Sequence, residues 1–320
     1  MLKLPGIVHT HDWYITAFIG LAAFAAIILG GFTVPDYEVF VFGIPLCGAL
    51  VMASVAHTQN TSPTIVALIT FLAWFGFLSL GLGYGAYAFT AAALPLQDAL
   101  FARIDAAMGI DLAGLRIATG KSWLLTMMLE IAYTKTIVLL VMPLAILFVR
   151  RDYERVRDAV SIYTLGVLTT LIISTLLPAV GAYPHLNMAH IPSGYLKYAG
   201  TDSYVEHYMA LRDGTMRILP VTGWRGLITF PSFHAIVALT GLYAAYPIRW
   251  LFWPAALFTG PILISTLPVG GHYAIDVIAA VAIVAVSILW VDRRRKTLAP
   301  MSCDWATQVA QPGPAAAATA

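Results

Sequence analysis

The chain has 320 residues, 60% of them hydrophobic and only 11% charged, with a formal net charge of +2 and a mean hydropathy of +0.82. A soluble domain carries about 25% charged residues, so this composition excludes an ordinary soluble globule and points to an all-α polytopic membrane protein. Nothing in the charge distribution calls for nucleic acid as a partner, and Cys47 and Cys303, in an apolar run and in the tail, are not expected to pair.

A membrane-spanning helix needs about 20 mostly apolar residues. Eight runs qualify in chain order: 13–32, 38–56, 63–90, 122–149, 158–178, 231–247, 250–268 and 271–291. The first is too long for the apolar region of a signal peptide and no small-residue cleavage site follows it, so it reads as an uncleaved anchor. Residues 1–62 are then N-terminal anchor spans, 63–291 form the core, and 292–320, ending in PGPAAAATA, are expected to be a disordered tail.

Basic residues orient the bundle. Arg150, Arg151, Arg155 and Arg157 fall in one short loop, Arg249 in a second, and Arg293 to Lys296 after the last span. With eight spans all three positions lie on one side, which the positive-inside rule makes cytoplasmic. The other side then receives residues 91–121, the long segment 179–230 and the turn before His272. Segment 91–121 places Leu94, Leu96, Leu100, Phe101, Ile104 and Met108 at near-helical spacing and reads as an amphipathic helix lying on the outer surface. Segment 179–230, about 50 residues rich in aromatics, is too long for a plain connector and is expected to carry function.

Two motifs meet on that outer face. One is Phe230-Pro231-Ser232-Phe233-His234 and the other Gly270-Gly271-His272-Tyr273-Ala274-Ile275-Asp276. His272 and Asp276 lie one helical turn apart, so the carboxylate can reach the imidazole and hold it in one tautomer. An ionisable pair one turn into a span is costly without a function. His272 can serve as nucleophile, Asp276 as its orienter and His234 as general acid. Ser232 is a candidate N-cap, and the amides of that helix start suit a phosphate oxygen. Arg212 is the first candidate for binding phosphate, Arg225 the second, and Lys135 within the fourth run a further basic candidate. His185 and His190 can border the site, while His9, His11, His57 and His207 read as loop or interface residues.

These motifs resemble the type 2 phosphatidic acid phosphatase superfamily, whose members carry Pro-Ser-Gly-His and Ser-Arg-x5-His-x3-Asp at the outer ends of membrane helices. Here Phe233 stands where Gly is usual, and Ser265-Thr266, five residues, His272, three residues and Asp276 keep the second spacing with Thr266 in place of Arg. Lys135, six residues and Met142-Pro143 echo the family's Lys-x6-Arg-Pro. Pro178 to Tyr183, Leu211-Arg212-Asp213-Gly214 and the two histidine motifs are similar to the inositol phosphorylceramide synthase-like branch, the likeness covering roughly residues 95–291. The resemblance implies a six-helix core within the bundle and phosphoryl transfer through a phosphohistidine, with no cofactor or metal. Its substrate would be a lipid phosphate or phosphodiester, with water or an alcohol as acceptor. Two other readings stand beside it: a metal-dependent hydrolase using the two histidines and the aspartate as ligands, and a non-catalytic lipid-binding or transport protein.

Overall fold

The computed structural model describes residues 7–35, 48, 63–191, 194–196, 202–220 and 224–309. Among the described residues the chain is an all-α bundle. Its helices are α1 (Thr10–Leu29), α2 (Pro63–Thr90), α3 (Asp98–Ala107), α4 (Leu112–Gly120), α5 (Trp123–Thr134), α6 (Thr136–Val149), α7 (Tyr153–Leu176), α8 (Ala182–His185), α9 (Asp202–Asp213), α10 (Phe233–Ala245), α11 (Arg249–Ser265) and α12 (Ala274–Val309), with a 3-10 turn at Met188–His190. Apart from Gly48, the expected second span, 38–56, lies outside the described residues.

Among the described residues four helices are long and apolar enough to cross a membrane alone, and five if the bent pair α5 and α6 counts as one. This is fewer than the eight expected. Besides the span outside the description, α10 and α11 have only 13 and 17 residues, too short for a 30 Å core at 1.5 Å per residue. The run 122–149 bends by 54° between α5 and α6. Thr134 and Thr136 bond their hydroxyls back to Glu130, Ala132 and Tyr133 carbonyls at that point, a habit that bends helices.

A core of Trp74, Leu140, Leu147, Val160, Tyr163 and Val237 joins α2, α6, α7 and α10. Large apolar side chains such as Phe18, Leu21, Leu257, Phe258, Val286 and Leu289 face outward from α1, α11 and α12. That inversion of the soluble pattern suits lipid contact, and the protein is a membrane protein.

The basic clusters do share one end. Arg155 at the start of α7 donates to the Tyr243 carbonyl at the end of α10. Arg295 of α12 pairs with Asp158, and Arg294 meets His11 at the start of α1. The histidine motifs begin α10 and α12 at the opposite end. Residues 292–309, expected as tail, continue the α12 helix. Asp292 to Leu298 contains no helix breaker, and the pairing of Arg294 and Arg295 docks this stretch on the bundle.

Segment 91–121 is corrected more deeply. It forms two helices, and most of its apolar stripe faces out: Leu94, Leu96, Leu100 and Met108 are exposed, whereas Phe101, Asp98, Asp105 and Arg116 are each at most 3% exposed. In a membrane the apolar face goes to lipid and the polar face turns inward.

Candidate active site

The two histidine motifs are joined by their backbones before their side chains meet. The Ser232 N–H donates to the Asp276 carbonyl (3.1 Å), and the Ala182 N–H donates to the Gly271 carbonyl (2.9 Å). Gly271 turns the chain at φ +69°, a region where a side chain is strained. A Cβ on Gly270 would lie 2.6 Å from the Tyr133 ring and 3.0 Å from the His272 ring. Only glycine lets this turn sit under both rings.

His272 is 4% exposed and Asp276 fully buried. The His272 Nδ1 lies 3.0 Å from Asp276 Oδ2, and the same oxygen accepts the Tyr273 N–H. This is the contact expected from the four-residue spacing. The His272 ring also meets the Thr229 backbone. The His234 ring lies 6.4 Å from the His272 ring, centroid to centroid. The Tyr133 ring stacks on His234 at 4.1 Å, brought there by the helix just before the α5–α6 bend.

Two buried carboxylates hold the turn from outside. Asp98 accepts the Val180 and Gly181 N–H groups and the Tyr273 hydroxyl. Asp105 accepts the Ala274 and Ile275 N–H groups at 2.7 and 3.2 Å, capping the first turn of α12 from another helix. Burial raises the Asp105 pKa against these two bonds. Arg116 donates to the Pro268 carbonyl (2.8 Å) and lies over the Tyr183 ring. The sequence reading missed these three roles. The seven-residue spacing of Asp98 and Asp105, two turns on one helix face, was the available signal.

A cavity of about 430 Å³ opens beside the rings, lined by His234, His272, Tyr133, Tyr87, Trp224 and Arg225 among others. Arg225 is the one cationic side chain among its described lining residues. Its backbone N–H donates to the Tyr87 hydroxyl, which also meets His207 Nδ1 at 3.0 Å. Arg212 does not line the cavity; it donates to the Leu94 carbonyl and lies near the Tyr208 ring. Lys135 sits exposed at the α5–α6 break, outside the cavity. Ser232 occupies the N-cap position of α10 but makes no cap bond; its hydroxyl is fully buried and meets no partner among the described residues. His185 and His190 do not line the cavity. Arg217 bonds the Gly30 carbonyl at the end of α1, a helix-end role.

Residues 99–290 match the sequence profile of the PAP2 superfamily, more than half of the chain. The chain belongs to the PAP2 superfamily. No curated protein and no solved structure matches it. Membership carries a lipid phosphatase or phosphotransferase type of function, and the matched span contains every group of the cavity described above except Tyr87 and its neighbours on α2. Among the described residues no group of three or more His, Cys, Asp or Glu side chains is arranged to hold a metal.

Proposed function

We propose that this PAP2 member transfers the phosphoryl group of a lipid phosphate or phosphodiester through a phosphohistidine on His272. The observation that carries the reading is the asymmetry of the two rings: His272 has a carboxylate on Nδ1, and His234 has none. Asp276 orients the imidazole and balances the positive charge that develops as Nε2 attacks phosphorus. His234 gives a proton to the departing oxygen. Water or an alcohol then attacks the phosphohistidine, losing its proton to His234, and His272 is released. Arg225 at the cavity mouth takes the charge of the equatorial oxygens, a task first assigned to Arg212 on sequence. Aromatic walls formed by Tyr87, Tyr133 and Trp224 suit an amphiphilic substrate entering from the membrane. The positive-inside rule puts the site on the extracytoplasmic face of the cell membrane.

The four motif stretches similar to inositol phosphorylceramide synthases favour transfer to an alcohol over hydrolysis, with a sphingolipid among the candidate acceptors. A metal hydrolase is disfavoured because Asp276 faces the His272 Nδ1 rather than a centre shared with His234. Incubating the purified protein with labelled phosphatidic acid, phosphatidylglycerol phosphate and phosphatidylinositol, each with and without a lipid alcohol, tests the reading. The expected result is turnover of at least one substrate, unaffected by EDTA and diverted to a transfer product by the alcohol. Turnover abolished by EDTA and restored by a divalent metal would replace this reading with the metal-dependent one.

A further inference from the structure

The opposite end of the bundle holds a second cavity, of about 390 Å³, between the starts of α1 and α7 and the far part of α12. His9, His11, Arg157, Trp290 and Arg294 line it, with Glu154 exposed at its rim. Asp158 and Arg295 line it as well. Arg295 is taken by Asp158, while Asp12 is buried behind the cavity against Ser161 and His11. Arg294 donates to His11 Nδ1 (2.6 Å) and lies over the Trp290 ring; Asp12 reaches it only through His11, and no carboxylate bonds it directly among the described residues. Arg157 has a buried Nε with no partner among the described residues.

Two guanidinium groups, neither in an ion pair with a carboxylate among the described residues, thus face one cavity at the basic end of the bundle. Bringing like charges together away from bulk water is unfavourable unless an anion joins them. A phosphate accepts the planar fork of arginine in bidentate fashion. Basic pockets between membrane helices on the positive-inside face recognise anionic headgroups, and Trp290 is the residue type that marks the headgroup level. We propose that this cavity binds the phosphate of an anionic phospholipid headgroup, at the end of the molecule remote from the histidines. The site does not depend on the reading of the histidine end. Its occupant would tie His9 and His11 of the N-terminal helix to α7 and α12, reinforcing the bundle where α1 joins it.

The test uses the purified full chain in detergent, with phosphatidylglycerol and phosphatidylcholine as probes in native mass spectrometry and thermal melting. Phosphatidylglycerol should bind selectively and raise the melting temperature. Arg157→Gln or Arg294→Gln should weaken that binding roughly tenfold, the loss of one charge-assisted contact. Arg150→Gln, an exposed charge outside the cavity, should leave it unchanged. An arm with inorganic phosphate separates the sources: the same stabilisation, lost in the same two variants, identifies a soluble anion as sufficient, whereas a requirement for acyl chains identifies lipid. A second measurement needs no variant. Phosphatidylglycerol should protect Arg157 and Arg294, but not Arg150, from phenylglyoxal. Equal binding of the two lipids, wild-type binding in both variants, or absence of that protection would overturn the proposal.

Discussion

The two ends of this bundle solve opposite electrostatic problems. At the histidine end most buried charges are carboxylates, Arg116 being the exception, and backbone N–H groups bond them: Asp98 holds Val180 and Gly181, Asp105 holds Ala274 and Ile275, and one oxygen of Asp276 holds Tyr273 and the His272 ring. The only described cation at that cavity is Arg225. At the other end the surplus is guanidinium, partly matched by Asp158 and partly unmatched. One end therefore fixes the backbone turn that carries His272, the proposed nucleophile. The other gathers arginines, two of them outside any ion pair among the described residues, where we propose an anion binds. The lesson is that buried carboxylates in a membrane bundle can act as scaffolding for a turn, in the way a cap does for a helix end.

The comparison breaks outright if the ends are assigned to the wrong sides. A cysteine placed at Ser203 should react with an impermeant reagent in intact cells, and one placed at Glu154 should not. Reaction at Glu154 alone would invert the molecule. Among the groups proposed to be catalytic, His272→Ala should lower turnover by at least about 10⁴-fold, and Asp276→Asn by about 10²- to 10⁴-fold through loss of orientation. Full activity of Asp276→Asn would detach the carboxylate from the mechanism. Next comes the choice between arginines. Arg225→Ala should reduce kcat/KM roughly 10- to 100-fold, whereas Arg212→Ala should act on thermal stability through its bond to Leu94 and leave turnover within about twofold. The reverse ranking would restore Arg212 to the phosphate. The smallest effect is expected at the scaffold. Asp98→Asn turns an amide donor toward N–H groups and should destabilise by about 2 kcal/mol, measured as a lower melting temperature, with a partial loss of kcat as the His272 turn loosens.

Much of the site could be read before the structure because its information is local. The spacing of His272 and Asp276 is one helical turn, and the parity of apolar runs puts His234 on the same face. What could not be read depends on contacts between distant segments. An amphipathic helix lying on the outer surface would turn Asp98 and Asp105 to solvent, whereas both are buried against the turn before α12. Arg212 and Arg225 are equally basic in sequence, and only the path of residues 224–229 along the cavity separates them. Lys135 fell inside an unbroken apolar run because the threonine back-bonds that bend α5 against α6 leave no strong mark on hydropathy. The shortness of α10 and the continuation of α12 past Val291 have the same origin: composition reports where apolar residues are, and packing decides where the helix stops.

The account turns on a covalent step at one ring. Brief reaction with substrate labelled in the transferred phosphate, alkaline quenching to preserve phosphohistidine and peptide mapping would locate it. The label should be on the peptide carrying His272 in the wild type. In His234→Ala it should form slowly with a poor alkoxide leaving group but readily with a p-nitrophenyl ester, which needs little protonation. Label on His234, or turnover with no phosphoprotein at any time, would contradict the assignment.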